Sequence, residues 1–215
     1  VMRTQFLLVT IWAGLLIPVV AGCARPGSAS PLANAKAAEE TAEEIRRAGG
    51  MATVSQFDVG NPEQMQSAIE AILKEKKKIS ILVNNAGITR DGLMMRYSVE
   101  DWDSVLATNL RGAFLASQAV LRPMMKERKG SIIHISSIVG ITGNAGQAAY
   151  CAAKAGLIGL AKSMARELAP RRSGSASRFF RHRTLLDELA KQLHRVFDIG
   201  LITRLERRVG VARGV

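Results

Sequence analysis

SIIHISSIVGITGNAGQAAYCAAKAGLIGLAKSMA, residues Ser131 to Ala165, decides how the rest of the chain is read. It opens on a short apolar run, Ile132-Ile133-His134-Ile135. β-Branched residues fill the run and glycine-rich loops bound it, which is the pattern of a buried strand. Ser136 and Ser137 close the strand, a Gly/Asn loop follows (Gly140, Gly143, Asn144, Gly146), and a helix of small residues then carries Tyr150 and Lys154. These two stand four apart and so share one helical face.

Side chains at i and i+4 on a helix lie about 5–6 Å apart at Cβ. Free tyrosine ionises near ~10, and an ammonium that close favours the phenolate and makes the phenol a better proton donor at neutral pH. Tyr150 beside Lys154 therefore suits a general acid. A hydroxyl at Ser137, delivered by the strand end, can hydrogen-bond the same substrate oxygen and hold it in place. Tyr and Lys also fall four apart by chance on many helices, so the pair takes its meaning from its company.

That company resembles the short-chain dehydrogenase/reductase family. The family's tyrosine and lysine match Tyr150-Cys-Ala-Ala-Lys154, its serine matches Ser137, and its catalytic asparagine matches Asn109 in ATNLRGAF. Its NNAG signature stands at Asn84-Asn85-Ala86-Gly87. Within the family, NNAGITRDGLMMR and GNAGQAAYCAAKAGLIGLAKSMARELA are most similar to the ketoreductases of dissociated fatty-acid synthesis. The likeness covers roughly Lys36 to Pro170. It implies an α/β fold, a single Rossmann-like domain with a doubly wound parallel sheet, and NADPH-dependent reduction of a 3-oxoacyl thioester borne by acyl carrier protein. It also implies the roles. Tyr150 protonates the ketone oxygen and Ser137 positions it. Lys154 lowers the tyrosine pKa and holds ribose hydroxyls, and Asn109 supports proton resupply through a water. By the same resemblance Asp58 and Val59 lie beside the adenine ring, and Asn85, Ala86 and Gly87 let backbone approach the nicotinamide ribose, alongside Tyr150 and Lys154. A carboxylate capping the next turn is the equally open reading of Asp58. The family assembles tetramers through small-residue helix faces such as Ala152, Ala153, Ala155, Gly156 and Gly159, so a homo-oligomer is expected.

Composition fits one such domain. The 215 residues suffice for a single α/β unit with a large core, and 47% hydrophobic with 5% aromatic residues suits a core of Ala, Ile, Leu and Val. Cys23 and Cys151 lie far apart in sequence, which argues against a disulfide framework and for a reducing compartment. No zinc spacing appears, and His134, His182 and His194 lack metal-ligand company, so no metal is expected. The net charge of +12 is unevenly spread: +2 over residues 1–35, +3 over 36–170 and +7 over 171–215, where ten of the basic residues are arginine. With the middle nearly balanced, nucleic-acid binding is not expected, contact of the arginine-rich tail with RNA being a distant alternative.

Both ends depart from the family. Within residues 1–35 the chain reads MRTQFLLVTIWAGLLIPVVAGC from Met2, with an apolar run from Phe6 to Val20 and a lipoprotein-like box, Val20-Ala21-Gly22-Cys23, which has the form of a secretory signal. In the family this region holds the first strand and a Gly-x-x-x-Gly-x-Gly phosphate loop. Phe6 to Thr10 can be that strand, but Ile11-Trp12-Ala13-Gly14-Leu15-Leu16-Ile17 follows, without the loop and without the second strand. Two explanations stand: a reading-frame disturbance after Thr10, favoured by the abrupt departure there and the abrupt return near Lys36, and an export signal fused to a truncated reductase. The first places the protein in bacterial cytoplasm or a plastid-type stroma, the second in the envelope as a lipoprotein, with membrane contact through that segment alone. After Pro170, residues 171–215 read as a basic tail unrelated to the family. No strand is expected there, and an amphipathic helix is expected over Thr184 to Phe197. Losing strand two should leave its neighbours without partners, so an inactive reductase fragment and a lipid-anchored protein are the alternatives to the enzyme.

Within the middle, a helix over Lys36 to Arg47, a strand from Met51 to Val59 and a helix started by Asn61-Pro62 are expected. A buried strand is expected over Ile79 to Val83, and one long helix containing Trp102, Asn109 and Leu115 behind a capping box at Ser98 to Asp101. Lys126, Arg128 and Lys129 close that helix, where cations suit its dipole. With Arg171 they form a cluster of the sign needed to steer an acidic carrier protein.

Overall fold

The computed structural model describes residues 6–12, 16–21, 31–47, 49–168 and 180–184. A six-stranded sheet organises them. β1 (Phe6–Trp12) and β2 (Leu16–Ala21) are followed by helix α1 (Pro31–Arg47), β3 (Met51–Phe57), α2 (Pro62–Lys76) and β4 (Ile81–Asn84). A continuous helical run comes next: α3 (Val99–Leu106), a π-turn (Ala107–Arg111) and α4 (Gly112–Lys126). β5 (Gly130–His134), a short helix α5 (Val139–Thr142), the long α6 (Ala148–Leu168) and β6 (Phe180–Thr184) complete the order. The strands lie in the order β3-β1-β2-β4-β5-β6. β1 runs antiparallel to both its neighbours, while β2, β4, β5 and β6 pair in parallel, so five strands point one way and β1 alone points back.

This sheet corrects two expectations. The strands expected to lack partners have them: β1 and β2 fill the two places between β3 and β4. The apolar run of residues 6–20 suits a signal and a pair of strands equally by hydropathy. What separates the two is the unpaired edges of β3 and β4, whose backbone groups gain hydrogen bonds when the hairpin enters. Likewise the Ser/Arg-rich stretch after Pro170 contributes a strand, since Phe180–Thr184 pairs in register with Gly130–His134. The helix expected over Thr184 to Phe197 begins on that strand and otherwise lies outside the described residues, as do Cys23, Arg171 and His194.

Boundaries shift for local reasons. α1 starts at Pro31 rather than Lys36, with proline in the first turn, where its missing N–H costs nothing. β3 stops at Phe57 because the Asp58 carboxylate accepts from Gly60 N at 2.8 Å and turns the chain. Asn61 caps α2 by accepting from Gln64 N at 2.9 Å, and Ser98 caps α3 by accepting from Asp101 N at 3.1 Å, as their sequence positions predict.

Alternation along β3 separates the two faces. Ala52 and Val54 pack with Ala38, Ala42 and Ile45 of α1, whereas Phe57 belongs to the larger core of α2, α4, α6 and the central strands, centred on Ile69, Leu82, Val120, Met124 and Ile132. Helices therefore cover both faces, the doubly wound arrangement. Among the described residues no helix is long and apolar enough to cross a membrane.

One polar cluster interrupts the main core. Ser117 Oγ donates to the Ala113 carbonyl at 2.6 Å, so its oxygen is left to accept from Asn84 Nδ2 at 3.2 Å. The second Asn84 proton is directed at His134 Nδ1, also at 3.2 Å, the ring nitrogen that accepts in this arrangement. All three residues are buried, and together they join β4, β5 and α4. Asn84→Ala should lower the free energy of unfolding in urea by about 1–3 kcal/mol, because two buried acceptors lose their donor; an unchanged denaturation midpoint would show that the cluster contributes nothing.

Candidate active site

Because β3, β4 and β5 point the same way, Asp58, Asn85 and the Ile135–Ser137 segment all leave the sheet at one edge, the carboxyl edge at which open α/β sheets bind ligands. α6 returns past that edge and brings Tyr150 and Lys154 with it.

Lys154 is 3% exposed, and a cation so deeply buried requires a partner. Its Nζ donates to the Ile135 carbonyl at 2.7 Å. The Ser136 hydroxyl donates in the opposite sense, to the Lys154 carbonyl at 2.7 Å, so the end of β5 and the second turn of α6 are joined by two reciprocal bonds. The Lys154 Nζ lies 5.5 Å from the centroid of the Tyr150 ring, which realises the shared helical face that the spacing predicts. Ser137, half-buried, is the next residue of the joined segment, and its carbonyl accepts from Gly140 N at 3.1 Å. Burial pushes the Lys154 ammonium down to about 8 from its ordinary 10.5.

Asn109 stands in the π-turn and is 1% exposed. Its Nδ2 donates to the Val105 carbonyl at 2.8 Å and to the Ile88 carbonyl at 2.9 Å. Val105 lies four residues back, where an α-helical backbone bond would find its acceptor, and the wider π-turn leaves room for the side chain to share it; such turns recur at functional sites. Asn109 Oδ1 is buried without a hydrogen-bond partner among the described residues. It sits against Gly87: a methyl group on Gly87 would come within 2.6 Å of Oδ1 and 3.7 Å of Lys154 Nζ. Only glycine fits there, and the four groups Gly87, Asn109, Lys154 and Tyr150 form one cluster.

The remaining cofactor candidates hold to the same edge with different freedom. Asn85 is exposed and Ala86 half-buried beside Gly87. Asp58 is half-buried, with one carboxylate oxygen taken by Gly60 N, so the capping reading of its side chain is realised. Val59 is 1% exposed and its side chain presses on Gly112, where an added Cβ would come within 2.9 Å of it. Only its backbone is available to a ligand. Lys126, Arg128 and Lys129 are exposed at the end of α4, at the opposite edge of the sheet from the cluster, separated from it by the length of β5.

Sequence reasoning missed Ile135 and Ser136, which anchor the lysine, and the Asn84–Ser117–His134 network behind them. The doubled serine was the visible signal for Ser136. The Ile135 contribution is a backbone carbonyl, which no side-chain pattern reveals.

For a cofactor of the kind the resemblance implies, the residues that would meet a nicotinamide end are small, Ala86 and Gly87, beside the buried Lys154. β2 ends at Ala21 beside β4 and α1 begins at Pro31, but the family's glycine spacing after Thr10 is absent from the sequence, and the described residues include no cradle for phosphates.

A family model described as short chain dehydrogenase matches residues 22–172. The 3-oxoacyl-[acyl-carrier-protein] reductase FabG of Vibrio cholerae is 56% identical over 115 residues, covering 54% of this chain and 47% of that protein. The 3-oxoacyl-[acyl-carrier-protein] reductase of Synechocystis is 47% identical over 135 residues, covering 63% and 55%. FabG of Escherichia coli is 54% identical over 115 residues, covering 54% and 47%. The chain thus spans about half the length of the curated relatives it matches.

The lowered Lys154 value has a signed consequence. Between about pH 8 and 10.5 the unfolded chain binds this proton more tightly than the folded one, so the residue's contribution to stability rises with pH. Denaturant unfolding of the parent and of Lys154→Met should therefore show the parent gaining on the variant above about pH 8, by at most about 1.4 kcal/mol per pH unit. A difference that ignores pH would contradict a buried, titrating lysine.

Proposed function

This chain belongs to the short-chain dehydrogenase family, and from that premise we propose that it reduces the ketone of a 3-oxoacyl thioester to the 3-hydroxyacyl thioester, with NADPH as reductant and acyl carrier protein as the bearer of the substrate. The observation that carries this reading is the Tyr150–Lys154–Asn109–Gly87 cluster at the carboxyl edge of the sheet, with Ser137 on the segment that anchors the lysine. The nicotinamide, when bound, supplies the hydride that reaches the carbonyl carbon. Everything else falls to the chain. The Ser137 hydroxyl donates to the ketone oxygen and fixes its direction. Tyr150 delivers a proton to the same oxygen as negative charge builds on it. The Lys154 ammonium beside the ring stabilises the phenolate left behind and is fixed in place by Ile135. Asn109 Oδ1, buried next to that ammonium, is the acceptor through which a water can return the proton. Names of the relatives, each a 3-oxoacyl-[acyl-carrier-protein] reductase, support the substrate class, and the bacterial cytoplasm or a plastid stroma is where such a carrier would be met. A homo-oligomer through α4 and α6 fits the groove of about 840 Å³ between Leu110, Phe114, Gly156 and Leu160.

A second reading is favoured by one observation: β1 runs against the other strands, so Ile11 and Trp12, which replace the family's glycine loop in the sequence, pair with Ala52 and Met51 at the edge of the sheet away from the site. In that reading the chain keeps the proton-transfer end of the site without the phosphate cradle, and is an inactive relative.

Loss of NADPH absorbance on addition of an acetoacetyl thioester separates the two. The reductase reading predicts turnover that falls by at least ~100-fold in Tyr150→Phe, the usual scale of a lost general acid. A folded chain that binds no NADPH and shows no turnover would establish the second reading instead.

A further inference from the structure

The loop leaving β4 and the loop leading into α6 are fastened together, and no step described above uses the fastening. Gly92 N donates to the Gly146 carbonyl at 2.9 Å. The Gln147 side-chain amide donates to both carboxylate oxygens of Asp91, at 3.2 and 3.3 Å, and its own oxygen accepts from Asn144 Nδ2 at 2.9 Å. The Asp91 side is itself braced: the Tyr97 hydroxyl donates to the Arg90 carbonyl at 2.7 Å, and Arg90 Nε lies 3.5 Å from an Asp101 oxygen. Burial first, then Asp101 and Asp91, raise the Tyr97 phenol above its ordinary range against the pull of Arg90, which keeps it a donor.

Gln147 is also where α6 begins. Its carbonyl accepts from Cys151 N at 2.8 Å, and Tyr150 follows three residues later, in the first turn. A first turn has no preceding helix to hold it. The loop before it contains Gly143 and Gly146 at φ +73 and +79, positions at which the backbone is permissive. Lys154 is held one turn deeper by Ile135, so its anchor does not by itself fix the phenol. The bonds of the clasp are exposed, and exposed bonds of this kind contribute little to global stability.

We infer that Asp91, acting through Gln147, is a positioning residue that sets the placement of the Tyr150 hydroxyl by clamping the start of α6 to the loop leaving β4. The kinetic part of this inference rests on the reductase reading; the structural part does not. A displacement of about 1 Å at a reacting group can cost ~100-fold in rate, so a loosened first turn is read in kcat rather than in unfolding.

The test uses the full chain with Asp91→Ala, Gln147→Ala, the double variant and Asp91→Asn, which keeps one acceptor for the Gln147 amide. Hydrogen exchange at the Cys151 amide should quicken ~10-fold in each alanine variant, the scale of one lost hydrogen bond. At the same time kcat should fall ~10-fold with KM held, the double variant should be no worse than the worse single, and Asp91→Asn should recover both readouts. Unchanged exchange at Cys151 in Asp91→Ala, losses that multiply in the double variant, or an asparagine no better than alanine would each overturn the inference. Should the parent chain show no turnover, the reductase reading fails and the exchange readout alone decides the clasp.

Discussion

The 2.7 Å bond from the Lys154 ammonium to the Ile135 carbonyl is the interaction on which the site depends. A primary ammonium inside a protein is costly unless donors and charge are met. The chain meets the charge with a carbonyl that strand β5 has ceased to use, one residue past its last ladder position. The Ser136 hydroxyl returns the bond to the helix. Between them these contacts decide how α6 sits on the sheet, and they do so at the residue preceding Ser137 and the residue following Tyr150 by one turn. Tyr150 and Ser137 are thus brought to one edge by the same reciprocal pair that makes the buried cation tolerable.

The other wall of the site is a deformation of a helix. Asn109 in an unbroken α-helix would have its i−4 carbonyl occupied by backbone. In the π-turn it takes Val105 and reaches the Ile88 carbonyl as well, and its remaining oxygen is aimed at a glycine that cannot be replaced without collision. Behind these groups the Asn84–Ser117–His134 cluster fixes the ends of β4 and β5 against α4. The edge that carries the Lys154 cluster is therefore held from below by hydrogen bonds in the core, and from its outer rim by loop contacts.

Much of this is legible in the sequence. The strand–loop–helix succession over Ser131 to Ala165, the Tyr150–Lys154 face and the Ser98 and Asn61 caps all follow from periodicity and short-range chemistry, which are local. What was not legible is non-local. The run from Phe6 to Val20 is apolar enough for a signal or for strands, and only the open edges of β3 and β4, set by residues far along the chain, decide for strands. Phe180–Thr184 carries two arginines and a histidine and reads as polar linker until β5 presents it with a register. The same holds at the site: side chains that do chemistry leave a pattern in sequence, whereas the Ile135 carbonyl and the freedom of the π-turn are backbone features. Val59 illustrates the converse, since its place beside a motif marks it as a ligand contact while its side chain is committed to packing on Gly112.

The central claim is that the edge built around Lys154 reduces a ketone. Its most direct test is to incubate the chain with NADPH deuterated at the transferable position of the nicotinamide and a 3-oxoacyl thioester, and to examine the thioester by mass spectrometry. The account predicts a 3-hydroxyacyl product carrying one deuterium on the former carbonyl carbon. Recovery of the ketone unlabelled, with the chain folded and the nicotinamide still reduced, would contradict it.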